Sequence, residues 1–291
     1  MLSSFELLEP TTVQEAAGLL ERYGDEARVY AGGAELILLM RYGLVDATYL
    51  VNVKTISGLG GLVAGEDALR VGSIVTHRAL ELDAAVRKGW PLLAAAESHV
   101  GNIRVRSQGT LGGNLCFADP HADPPTALLV YEASVTIEGS GGSSWLPLSE
   151  FLRGTYETAL QPAELLVEIE VPRLPSGWTA AFARTERFYR PTANAAVAID
   201  LRAGAIAGAR LAVGCVGPTA MRLPQLESEL AGLTPAEAGR RVMDARAYLS
   251  RQLDPVDDLL GSAEYKSYIA GVLLARAIGQ AAGTEGANGH G

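Results

Sequence analysis

Two glycine-rich segments hold the residues best suited to chemistry. The first is Ala31-Gly32-Gly33-Ala34-Glu35-Leu36, which follows the strand-like Arg28-Val29-Tyr30 and precedes the apolar run Leu36-Ile37-Leu38-Leu39-Met40. Glycines admit tight turns and close approach, and free N–H groups at a helix start attract anions. The second is Thr110-Leu111-Gly112-Gly113-Asn114, where a hydroxyl and an amide flank exposed backbone. Asp123, a little further on, is a ready acceptor for a sugar hydroxyl. Each segment alone also reads as an ordinary turn, with Asn114 suited to a left-handed position. Together they suit a ligand with two phosphates, gripped from both sides.

Other chemistries find little support. No three-glycine dinucleotide fingerprint, Gly-Lys-Ser/Thr phosphate loop or Gly-x-Ser-x-Gly elbow occurs. The four histidines, His77, His99, His121 and His290, are dispersed without metal-ligand spacing. His121, between Asp119 and Asp123, reads as a loop histidine. The two cysteines, Cys116 and Cys215, cannot supply an iron–sulfur cluster, and Cys116 reads as a small buried filler. Arg104 and Arg106 read as the solvated face of an alternating strand, or as a small basic patch.

The elements that must position these residues fit a chain of 291 residues, 48% apolar and 20% charged, too apolar for disorder. A net charge of −9 and a pI near 5.1 argue against nucleic acid. There is no signal-peptide pattern and no run long enough to span a bilayer, so a reducing cytoplasm is expected. Helices are predicted over 10–24, 77–99, 236–253 and 263–278, with a further helix through Leu128 to Tyr131 and a buried helical turn over 36–40. Strands are predicted over 28–30, 49–53, 69–74, 135–138, 167–172, 195–201 and 209–216, with a flexible turn over 139–144. A domain boundary falls near Pro172 to Gly177, and 281–291 reads as a disordered tail.

Taken with these two loops, further segments are familiar. Ile103-Arg104 to Asn114, continuing into Ala118-Asp119-Pro120-His121-Ala122-Asp123, is the most specific. Glu164-Leu165-Leu166 to Val171-Pro172, Val216-Gly217-Pro218-Thr219 and Gly261-Ser262-Ala263-Glu264-Tyr265-Lys266 follow in order. Through nearly its whole length the chain resembles the FAD-binding medium subunit of molybdenum hydroxylases, the family of carbon monoxide dehydrogenase and xanthine dehydrogenase. The resemblance implies an α+β fold: a two-subdomain FAD-binding domain of the vanillyl-alcohol oxidase type over 1–173 (subdomains 1–55 and 56–173), then a smaller sheet-plus-helix C-terminal domain over 178–280.

It further implies non-covalent FAD lying extended between the subdomains. Ala31, Gly32, Gly33, Ala34, Glu35 and Leu36 would hold the pyrophosphate, joined by Thr110, Gly113 and Asn114. Asp123 would bind the nucleotide sugar, Leu166 or Val167 would flank a ring, and Arg184 stands where the family often has lysine near the flavin. Either Asn194 or Tyr189 would face the isoalloxazine, because the family's usual Asp-aromatic pair is absent here. No side chain is required as acid, base or nucleophile. A large partner would carry the molybdenum cofactor and select the substrate, and a small partner would carry two [2Fe–2S] clusters. Electrons would leave through FAD to an external acceptor, in a dimer of heterotrimers. The alternatives are a free-standing flavin oxidoreductase and a scaffold subunit that has lost FAD.

Overall fold

The computed structural model describes residues 4–185 and 190–284. The chain opens with a small parallel sheet. Strand β1 (Glu6–Leu8) leads to helix α1 (Val13–Tyr23), strand β2 (Ala27–Tyr30), helix α2 (Leu36–Arg41) and strand β3 (Tyr49–Asn52), in the order β1-β3-β2. Helix α1 starts where it does because Thr12 accepts from the Glu15 N–H while the Glu15 carboxylate takes the Thr11 N–H. Its Ala16 and Ala17 pack on Val51 and Val53.

A second, antiparallel sheet follows, in the order β4-β5-β10-β6-β7. Strands β4 (Leu62–Ala64) and β5 (Ala68–Gly72) precede six helices: α3 (His77–Leu82), α4 (Ala84–Gly89), α5 (Pro91–Ser98), α6 (Ile103–Gln108), α7 (Leu111–Phe117) and α8 (Pro124–Val130). The hairpin β6 (Ser134–Gly139) and β7 (Gly142–Pro147), helix α9 (Leu148–Phe151), the short pair β8 (Leu152–Gly154) and β9 (Glu157–Thr158), and strand β10 (Leu165–Pro172) complete this part. Trp90 is fully buried and donates its indole N–H to the Val171 carbonyl, tying the helices to the sheet.

The last part is a four-stranded antiparallel sheet backed by helices. Strands β11 (Trp178–Arg184), β12 (Asn194–Arg202), β13 (Ala205–Gly214) and β14 (Met221–Arg222) lie in chain order. Helices α10 (Pro224–Glu229), α11 (Pro235–Asp244), α12 (Arg246–Leu253) and α13 (Ala263–Ala281) follow. Strand β12 is buried on both faces. Ala196 and Ala198 face the core shared with α8, whereas Ala195, Val197 and Ile199 face the core under α11 and α13. A strand covered on both sides reads as a continuous apolar run, and alanines let α8 approach closely.

The α+β class agrees with the sequence reading, and several element expectations are corrected. The helix expected over 77–99 is three, because Asp83 leaves the helical region to cap α4 and Pro91 must start a new helix. The helix expected over 236–253 breaks at Ala245. Residues 139–144 form a tight hairpin with two residues between strands. Arg104 and Arg106 lie on helix α6, capped by the Asn102 side chain, and Arg106 is bound to Glu81 at 2.8 Å. Leu36 to Met40 is helical, but only Met40 is buried; Leu36, Leu38 and Leu39 line an open cleft. Residues 285–291 of the expected tail lie outside the described residues. No helix among the described residues is long and apolar enough to cross a membrane.

Candidate functional site

A cleft of about 690 Å³ opens at these loops, within the usual range for cofactor pockets. Ala31, Gly32, Gly33, Ala34, Glu35, Leu36, Thr110, Gly113, Asn114, Asp123 and Leu166 all line it. The two glycine segments meet across it. A Cβ on Gly32 would stand 2.0 Å from the Gln108 carbonyl oxygen, so the loops touch backbone to backbone. Gly33 adopts φ +70°, where a side chain is strained, and this turn leads the chain into α2. The Ile37 N–H donates to the Gly33 carbonyl at 3.3 Å and the Leu39 N–H to the Glu35 carbonyl at 2.9 Å, so the turn is closed on itself as it enters α2.

The second segment is not a loop but a helix start. Thr110 caps α7 by accepting from the Gly113 N–H at 3.0 Å. The Leu111 and Gly112 N–H groups donate to the Val75 and Ser73 carbonyls, each at 3.0 Å. Its backbone donors are therefore already used, and what it presents is the Asn114 side chain. The Asn114 Oδ1 is buried without a hydrogen-bond partner, as is Nδ1 of the cleft-lining His121. Buried polar atoms normally have partners, so these two mark where a polar ligand or ordered water belongs. The residues thus fit a nucleotide cofactor: glycine backbone open to close approach on one wall, an amide and imidazole on the other, and leucines between.

Asp123 is 4 % exposed. Its helix begins Pro124-Pro125, which supply no N–H at the first two positions, and the carboxylate makes no cap bond. It turns instead to Asn194, whose Nδ2 donates to Oδ1 at 2.7 Å. Burial pushes its pKa up to about 6, against the opposing pull of the Arg184 guanidinium and the Asn194 N–H. Arg184 stands behind Asp123 at 3.6 Å and is not among the cleft-lining residues. Asn194 is fully buried beneath the wall, while Tyr189 lies outside the described residues.

Sequence reasoning missed several residues here. Arg190 lines the cleft mouth and pairs with Asp119 at 3.0 Å. Burial raises the pKa of nearby Glu35, Arg190 lowers it, and Asp119 raises it. His77 also lines the cleft, and its Nδ1 meets Glu97 at 2.6 Å, both residues being buried. The spacing Asp119-x-His121-x-Asp123 was the available signal for the mouth. Nothing local links residues 77 and 97. Cys116 packs against the core as a filler and also borders the cleft, and burial pushes its thiol up to about 12. Among the described residues no group of three or more potential ligands is placed to hold a metal.

The comparisons with known proteins agree with this geometry. Residues 3–174 match the FAD binding domain in molybdopterin dehydrogenase, and residues 189–281 match the CO dehydrogenase flavoprotein C-terminal domain. The carbon monoxide dehydrogenase medium chain of Hydrogenophaga pseudoflava is 31% identical over 280 residues, covering 95% of this chain and 96% of that one. Caffeine dehydrogenase subunit beta of Pseudomonas sp. (strain CBB1) is 32% identical over 287 residues, covering 96% and 95%. Among solved structures, the Hydrogenophaga pseudoflava carbon monoxide dehydrogenase lacking the Mo-pyranopterin moiety superimposes with a TM-score of 0.91 at 30% identity, covering 98% of this chain and all of that one. Quinoline 2-oxidoreductase from Pseudomonas putida 86 gives 0.90 at 29% identity, covering 98% and 99%. A cleft built from two glycine segments, with a fold and sequence shared along the whole length of these enzymes' subunits, has one consistent reading: the chain belongs to the FAD-binding medium subunits of the molybdenum hydroxylases and is an oxidoreductase component.

Proposed function

We propose that this chain carries electrons from [2Fe–2S] clusters on a small partner subunit, through FAD, to an external acceptor. A large partner holds the molybdenum cofactor and selects the substrate, and the assembly is a dimer of heterotrimers. Both cysteines are free thiols, which suits a reducing cytoplasm. The FAD-binding part spans 1–173, with subdomains 1–55 and 56–173, and the C-terminal part spans 178–280. When bound, FAD supplies the redox chemistry, and the protein binds, orients and tunes it.

The chain's own residues have binding roles. The backbone from Ala31 to Leu36 cradles the pyrophosphate. Thr110 and Gly113 shape the opposite wall, and Asn114 offers its unpartnered amide oxygen to a cofactor donor. Asp123 accepts from a sugar or ribityl hydroxyl, and Leu166 packs against a ring. Arg184 acts through Asp123, holding a positive charge behind it. No side chain is needed as nucleophile or general acid.

The observation that carries this reading is the cleft itself, with two glycine segments in backbone contact and two buried polar atoms, on Asn114 and His121, aimed at unfilled bonds. The test is the visible spectrum of the purified chain after incubation with FAD and desalting, with the nucleotide released by acid identified. Retained flavin, released as FAD, is the expected result. A colourless chain that stays colourless when co-expressed with its partners refutes the reading and leaves a scaffold subunit.

A further inference from the structure

We infer that Asn194 is a positioning residue for cofactor binding. With Thr126 it forms a clamp that fixes the Asp123 carboxylate on the cleft wall, so that the C-terminal sheet completes the nucleotide site. This rests on the reading that Asp123 accepts a hydroxyl of FAD.

The geometry of the clamp is specific. The Asn194 Oδ1 accepts from the Thr126 hydroxyl at 2.7 Å, which turns its Nδ2 towards Asp123. The same Nδ2 reaches the Cys215 sulfur at 3.3 Å, so both ends of the amide are engaged. Asn194 is 0 % exposed and its backbone lies in β12, paired with Arg184 on one side and Gly214 on the other. It therefore has no freedom to follow a drifting carboxylate. Gly214 leaves the required room: a Cβ there would fall 2.1 Å from the Thr126 hydroxyl and 2.6 Å from the Asn194 Oδ1.

The amide meets both demands at once, accepting from Thr126 on its oxygen and donating to Asp123 from its nitrogen. A carboxylate at 194 would face Asp123 with like charge. Asp123 makes no cap bond within its own helix, so this donor comes from outside it. The other groups facing it are Arg184 from β11, Glu97 from α5 and the Cys215 thiol beyond β13. Asp119 acts on that thiol from the Asp123 loop, Lys266 acts on it from α13, and His121 lies on the Asp123 loop.

The test is the FAD dissociation constant of the full chain, measured by flavin fluorescence between pH 5 and 8, for the parent, Asn194→Ala, Asn194→Asp, Thr126→Val and Asp123→Ala. Loss of a hydrogen bond to a charged group predicts roughly ten- to a hundredfold weaker binding in Asn194→Ala, with Asn194→Asp weaker still. The inflection of affinity with pH should also move upward in Asn194→Ala, because the lost donor favoured the ionised carboxylate. A purely structural role would weaken binding equally at every pH. Thr126→Val, which keeps its shape, should shift the inflection the same way by less, and it carries the test if Asn194→Ala fails to fold. Adding Asn194→Ala to Asp123→Ala should change nothing further. If Asp123→Ala weakens FAD while Asn194→Ala and Thr126→Val bind as the parent with an unmoved inflection, the clamp is overturned. If Asp123→Ala itself binds as the parent, the underlying reading of Asp123 falls instead.

Discussion

Replacing Gly32 with alanine tests the central feature of the cleft, the contact between its two walls. The added Cβ would stand 2.0 Å from the Gln108 carbonyl oxygen, 2.8 Å from the Gln108 carbonyl carbon and 2.9 Å from the Gly109 Cα. All three are backbone atoms, and ordinary contact begins at 3.4 Å, so no side chain can swing aside to admit the methyl group. The segments must part, and the backbone hydrogen bonds next to Gly109 resist that. The His77 N–H donates to the Gly109 carbonyl at 3.1 Å, and the Gly109 N–H to the Val105 carbonyl at 2.6 Å. Overpacking of this kind costs about 1–3 kcal/mol. If the cofactor needs both walls at their present spacing, a similar loss appears in binding, roughly five- to a hundredfold in dissociation constant. Flavin fluorescence titration and a urea unfolding curve on the same preparation read the two effects. Gly18→Ala is the control, because it lies in α1 with nothing within 4 Å of the new Cβ. It should gain about 0.5–1 kcal/mol of stability and bind FAD as the parent does. Parent-like affinity in Gly32→Ala would refute the claim that the paired walls grip the cofactor.

Three further outcomes are expected. Gly33→Asp should abolish FAD retention on desalting, since it strains a φ of +70°, crowds the Tyr30 ring at 2.5 Å and sets a carboxylate beside the phosphates; a yellow variant contradicts the pyrophosphate assignment. Asp123 has its pKa raised from 3.8 to about 6 in the fold, so the folded state holds the extra proton. Its contribution to stability is full below pH 3.8 and is lost as pH rises through about 6, up to about 3 kcal/mol. Asp123→Asn should flatten urea stability over that window, and an unchanged slope would contradict it. Glu97→Leu should destabilise the chain by about 1–3 kcal/mol, because it leaves the buried His77 Nδ1 without the partner that stood at 2.6 Å; parent-like stability by urea titration would show the bond to be dispensable.

Much of the fold was legible where one periodicity ran unbroken. Strand β10 alternates strictly in Val167-Glu168-Ile169-Glu170-Val171, and Pro172 ends it. Helix α13 has a capping serine and a long apolar stretch. What escaped was set by breaks and partners. The apolar positions between Leu80 and Ala96 fit one helix as well as three, and the division rests on Asp83 and Pro91. The run Leu36-Ile37-Leu38-Leu39-Met40 has core composition, yet three of its leucines face the cleft, where the chain alone leaves them uncovered. Composition reports apolar surface; it does not say whether protein or cofactor covers it.

The site divides along the same line. The glycines were legible because close approach excludes side chains, and Gly32 and Gly33 bear that out in the contacts a Cβ would make. The second segment is legible as a wall but its donors are not, since only the fold brings Val75 and Ser73 to consume the Leu111 and Gly112 N–H groups. From position alone Asn194 shares the flavin-face expectation with Tyr189, and a capping or turn role is as open to it. Its bonds run to Thr126 and Asp123, across 68 and 71 residues of chain. Polar residues of this kind are opaque to sequence because their meaning lies wholly in a partner. Among the buried atoms left without a partner, the Asn114 Oδ1 and His121 Nδ1 are the two on cleft-lining residues, and they point back to a ligand.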